Sequence, residues 1–332
     1  MGPSVDMLNT AKHIDKASRD LYGDAMARSV EYKTRFFLPM IKQLLPSDEE
    51  CRILDLGSCT SSLAIELAHQ LPGNYGFFEI DYDRHFLEWG RKKTQDIPEF
   101  TDRFTHIQAN AVQLPIASES MDAVMHSSFF HEIYSFPVTA AGPFKKENCH
   151  RLVEEIRRVL KPGGYVLGRD YVARPDNPAE LLFLEADQTN GLVIEDMERL
   201  LKAPVEYLSS YSTALRFLHQ FEPAQNAPIA FNNGNFILPA WLASELYFHF
   251  SYRTSDMWES EIHEHYGASS IEELKAMATR HGFESILCES ASHYDIGINT
   301  GMKLTDSAGN SIDTKSRFPT NNYIVWKKKG MS

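Results

Sequence analysis

The rhythm of residues 52 to 170 limits the fold more than any other feature. Short apolar runs alternate there with amphipathic stretches. RILDL (52–56), YGFFEI (75–80), FTHIQA (104–109), MDAVMHS (121–127) and YVLGRD (165–170) read as strands. SSLAIELAHQL (61–71), RHFLEWGRKKT (84–94) and ENCHRLVEEIRRVL (147–160) read as helices between most of them. Alternation of this kind predicts a parallel sheet covered on both faces.

Residues 8 to 45 carry apolar residues at three and four spacing and read as helices until PSDEE ends them. After Asp170 the rhythm changes. Residues 172 to about 264 hold helical patterns such as AELLFLEADQTNGLVIEDMERLL, broken by FEPAQNAPIAFNNGNFILPAW. IEELKAMATRHGFESILCES then restores a helix and a strand, and NYIVWKKK is a last strand after the polar, hairpin-like segment 304–321. The expected organisation is an N-terminal helical lid over 1–50, a sheet domain over 51–171 and 265–332, and an inserted cap or substrate region over 172–264.

With 332 residues, 43% of them hydrophobic, the chain can bury a full-sized core. Its net charge of −12 argues against a nucleic-acid face, which needs clustered Lys and Arg. No apolar run approaches the roughly 18 residues of a membrane span, so a cytoplasmic protein is expected. The four cysteines fall in no zinc-ligand spacing. HEH at 263–265 reads as a wet helix face, and His131-Glu132 lacks the second histidine of a zinc-protease helix, since Ser135 stands there. No metal is expected.

The turn after the first strand, ILDLGSCTSS (53–62), narrows the ligand. A dinucleotide loop needs glycine at its second and third positions, so that backbone can approach the pyrophosphate and helix can pack on strand. Here Gly57 is followed by Cys59 and Ser62, which disfavours a pyrophosphate and with it a nicotinamide oxidoreductase. A ligand that lays only a small polar group over the turn tolerates Cys or Ser, and S-adenosylmethionine is such a ligand.

On these residues, 52–170 resembles the class I S-adenosylmethionine-dependent methyltransferases, especially the small-molecule branch that methylates ubiquinone and menaquinone precursors. The family's first motif, acidic-x-Gly-x-Gly-x-Gly, is matched at Asp55 and Gly57 and departed from at Cys59 and Ser61. The acidic residue that holds the ribose hydroxyls falls on Asp81. NAVQLPIASESMDAV (110–124) matches the next motif, with Asn110 in place of aspartate; its amide oxygen can still accept from the adenine amino group. RRVLKPGGYVL (157–167) matches the turn into strand five. The resemblance implies a Rossmann-like, seven-stranded α/β sheet with a largely helical insertion after strand five. It also implies a cofactor site of Asp55, Gly57, Ser58, Asp81, Tyr82, Asn110, Ala111 and Ser127.

SSFFHEIYSF (127–136) follows strand four, at the sheet edge where ligands of open α/β sheets sit. His131 is a candidate general base there, with Tyr134 and Asp170 beside it as catalytic candidates, and a packed histidine is the alternative. Tyr22 could close over the methionine end of the cofactor, or pack in the core. Residues 172–264 hold 14 Asp plus Glu against 5 Lys plus Arg, and 13 aromatic residues. Such a segment suits a hydrophobic or cationic acceptor and repels phosphate. The expected activity is methyl transfer to O, N or C of a small molecule, with a protein side chain as second choice and RNA third. A noncatalytic module that keeps the fold and binds a partner is the other class.

Overall fold

The expected sheet is built in the computed structural model, which describes residues 23–24, 29–100, 102–172, 180–232, 235–292, 297 and 299–330. The chain divides into two units: 1–170 with 272–289 and 322–332, and 171–271 with 290–321. In the sequence reading, 290–321 stayed with the sheet domain; by contacts it joins the second unit.

The first unit runs α1 (Val30–Leu44), β1 (Cys51–Leu56), α2 (Ser62–Gln70), β2 (Tyr75–Asp81), α3 (Arg84–Gln95), β3 (Phe104–Gln108), β4 (Met121–Ser127), α4 (Phe130–Ser135), α5 (Lys146–Val159) and β5 (Leu160–Asp170). The strand order is β3-β2-β1-β4-β5, followed by a late strand (Asn321–Lys328) and an edge strand (Phe283–Ala291). β1 pairs in parallel with β2 and β4, and the late strand pairs antiparallel with β5. The chain goes outward from β1 to β3 and restarts at β4 on the other side. That reversal opens a crevice at the carboxyl ends of β1 and β4.

Residues inside the sheet are apolar on both faces because helices cover both. Ile53, Phe77, Ala123, Met125 and Leu167 form one cluster with Phe37, Ile41 and Leu45 of the α1 region. Burying each large side chain contributes about 1.5–3 kcal/mol. Thus α1 packs into the core, and residues 1–22 and 25–28 of the expected lid lie outside the described residues. Tyr22 lies outside the described residues.

The second unit holds β6 (Leu181–Ala186), α6 (Met197–Lys202), α7 (Ser210–Gln220), β7 (Ala230–Asn232), β8 (Asn235–Pro239), α8 (Ala240–His249) and α9 (Ser255–Glu261). The chain returns to the first unit for α10 (Ile271–Arg280) and the edge strand β9 (Phe283–Ala291). It re-enters the second for β10 (Met302–Thr305) and α11 (Thr314–Arg317), and ends on β11 (Asn321–Lys328). Helices are there as expected, but so is a four-stranded sheet of order β10-β6-β8-β7. Residues 181–186 were expected to be helical and form a strand. Leu182, Leu184 and Ala186 are buried and alternate with outward Leu181, Phe183 and Glu185. Apolar residues on both faces hide that period of two. Its core gathers Phe217, Phe221, Tyr247, Phe248, Trp258 and Tyr266, so the aromatics are largely packing. Among the described residues no helix is long and apolar enough to cross a membrane.

Candidate functional site

The turn from β1 to α2 puts every second residue in the left-handed region: Gly57 at φ +68°, Cys59 at +49° and Ser61 at +56°. These are the three positions at which the resembled motif has glycine. A non-glycine residue there costs about 1–2 kcal/mol, so the neighbours must hold it. The amides of Gly57 and Ser58 both donate to the Ile80 carbonyl, and the Cys59 amide donates to Asp81 Oδ2 at 2.9 Å. Ser61 Oγ lies 3.2 Å from His106 Nε2 on β3. Gly90 leaves room for that hydroxyl, since a Cβ there would stand 2.3 Å from it. Gly57 must be glycine for a second reason: a Cβ would stand 2.3 Å from the Phe129 ring.

An open cleft of about 720 Å³ lies over this turn, lined among others by Asp55, Gly57, Ser58, Asp81, Tyr82 and Ser127. A second cavity of about 430 Å³ shares Gly57, Asp81, Tyr82, Phe129 and Glu132 and is otherwise walled by Asn110 and by apolar residues such as Ala111, Phe136 and Val138. All eight residues expected at a cofactor are therefore brought together. Sequence reading missed Lys33, which α1 brings to the cleft as a basic lining residue. No motif marks it, because it lies 22 residues before Asp55 on a helix read as a lid.

The electrostatics follow from burial. Asp81 accepts from the Cys59 and Asp83 amides, one on each carboxylate oxygen, and burial still raises its pKa to about 7. Burial also raises Asp55, against the pull of Lys33, and raises Glu79, its register neighbour on β2. Lys33 is lowered to about 8 by burial and by Arg169. Ser58 Oγ and Ser127 Oγ are buried with no hydrogen-bond partner among the described residues, and both residues line the cleft. Buried hydroxyls without partners mark a place where a polar ligand completes the bonding. Asp81 keeps lone pairs for two hydroxyls, and Lys33 suits a carboxylate. The cavity pair thus fits a molecule with a flat apolar end, a diol in the middle and a charged end.

The catalytic candidates separate. Asp170, at the end of β5, accepts from the Phe129 amide at 2.9 Å and also from the amides of Phe130 and His131. Its other oxygen is 2.6 Å from His131 Nδ1. The pair is buried and lines neither cavity, although the neighbouring Phe129 and Glu132 line both. Asp170 therefore orients His131 and caps α4. Tyr134 packs edge-on against Phe144, with Lys146 over its ring, away from the cleft lining. HEH at 263–265 follows α9 rather than forming a wet helix face: Glu264 is buried.

Residues 54–168 match the family model described as a methyltransferase domain. The ubiquinone/menaquinone biosynthesis C-methyltransferases of Geotalea daltonii and Geotalea uraniireducens are 27% and 29% identical over 35% and 32% of this chain. The match spans less than half the length of these curated relatives, 43% of each. A solved structure of a S-adenosylmethionine-dependent methyltransferase from Methanosarcina mazei aligns with 88% of this chain and 98% of its own, at 16% identity and a TM-score of 0.46.

Proposed function

We propose that this chain, whose residues 54–168 match a methyltransferase domain, is an enzyme that moves a methyl group from S-adenosylmethionine to O, N or C of a small, hydrophobic or cationic acceptor. The observation that carries this reading is the convergence of Asp55, Gly57, Ser58, Asp81, Tyr82 and Ser127 on one cleft at the carboxyl ends of β1, β2 and β4. When bound, the cofactor supplies a methyl group activated on a sulfonium. Asp81 accepts the two ribose hydroxyls, Asn110 and Ala111 flank the base, and Lys33 with the Ser58 hydroxyl holds the amino-acid end. His131 serves as general base, and Asp170, which binds Nδ1, orients its imidazole. Asp170 also stabilises the imidazolium once a proton arrives, as the carboxylate of a hydrolytic triad does. Most of the rate comes from holding acceptor and methyl in line, with one proton transfer assisting.

The relatives named for ubiquinone and menaquinone methylation favour a small-molecule acceptor, and the acidic 172–264 segment disfavours RNA. We assign acceptor selection to that segment on its composition. The test is transfer of isotopic methyl from S-adenosylmethionine to panels of phenols, amines and carbon acids, with tRNA and a protein extract as controls. Label in small molecules alone supports the reading, and label in RNA or protein alone contradicts it.

A further inference from the structure

One wall of the cavity beyond Asp81 comes from a segment without regular secondary structure. Phe136 and Val138 line it, and both belong to the segment that follows α4 and precedes α5. Two asparagines hold that segment. Asn148, fully buried on α5, donates to the carbonyls of Phe136 at 3.2 Å and Gly142 at 2.9 Å, and accepts from the Thr139 hydroxyl. Asn110, after β3, donates through Nδ2 to the Val138 carbonyl at 3.0 Å and accepts through Oδ1 from the Val112 amide at 3.1 Å. Those partners fix the amide's orientation, because a carbonyl needs a donor and an N–H needs an acceptor.

We propose that Asn110 is a positioning residue, a latch that sets the Val138 wall against the purine ring, and that an amide stands where the resembled motif has a carboxylate because only an amide can donate to Val138. The inference rests on the cofactor reading given above. An aspartate at 110 would aim a carboxylate oxygen at the Val138 carbonyl, lose the bond and repel it. Aspartate at this position should therefore weaken binding. A latch acts on the ring through shape, so it treats a 6-amino and a 6-oxo purine alike; a direct reader of the amino group does not.

The test is calorimetry of the full chain with S-adenosylhomocysteine and with its inosine counterpart, for the wild type, Asn110→Asp and Asn148→Ala. Asn148 does not line the cavity, which makes its variant a second, independent probe of the wall. Expected is a loss of about tenfold or more in both variants, of the same size for both ligands, as removal of a buried hydrogen bond implies. Amide hydrogen exchange over 137–142 should accelerate in both variants while β1 and β4 stay protected, which separates a loosened wall from a failed fold. Asn110→Asp binding as tightly as wild type, Asn148→Ala leaving affinity unchanged, or a loss confined to the adenine ligand would each overturn the latch. A wild type that binds neither ligand would instead overturn the cofactor reading.

Discussion

His131 Nδ1 lies 2.6 Å from Asp170 Oδ1, a bond between residues 39 apart in sequence that joins the first turn of α4 to the end of β5. The same carboxylate gathers the three amides that open α4. One residue thus fixes both the helix and the imidazole.

His131→Ala should lower turnover by about 10²- to 10⁴-fold with cofactor affinity near normal, as loss of a general base implies. Asp170→Asn should lower turnover and the unfolding midpoint together, because an amide cannot replace both carboxylate oxygens. Single-turnover kinetics with any identified acceptor checks the first, and thermal denaturation the second. Unchanged turnover in His131→Ala would return His131 to a packing role.

The Asp81 carboxyl, raised by burial to about 7, should give cofactor binding a pH dependence. If only the ionised form accepts both hydroxyls, affinity should fall about tenfold from pH 8 to pH 6. Stability runs the other way. The native state keeps a proton that the unfolded chain releases near pH 4, so this group's contribution falls as pH rises from about 4 to about 7. Asp81→Asn should flatten both profiles. Calorimetry and thermal denaturation across that range check them, and a flat wild-type binding profile would contradict the role.

Cys59→Gly should raise stability by about 1 kcal/mol by releasing left-handed strain. Ser61→Gly should gain little, because it also loses the hydroxyl bond to His106, worth about 1 kcal/mol. Denaturant melts of both variants decide it. Destabilisation of both by more than about 1 kcal/mol would contradict the strain account.

The parallel sheet was legible because its strands and helices are consecutive, and MDAVMHS forms β4 residue for residue. The residues that line the cleft were legible for the same reason: in such a sheet they follow strand ends at fixed offsets. What escaped depends on long-range contact. β6 has apolar residues on both faces, and its partners β8 and β10 come from about 50 and 120 residues onward. Lys33 sits on a helix whose amphipathic pattern says only that it packs. Asn110 was read for its oxygen, whereas its nitrogen has the more telling partner, a carbonyl 28 residues away.

The central claim is that the cleft over Gly57 and Asp81 binds S-adenosylmethionine through the ribose. Isothermal calorimetry of the wild type and Asp81→Ala with S-adenosylhomocysteine at pH 8 tests it most directly. One ligand per chain in the wild type and a ten- to hundredfold weaker Kd in the variant is the expected result, since hydrogen bonds to a charged group are worth about 1.5–3 kcal/mol. No binding by the wild type, or a variant within about threefold of it, would contradict the account.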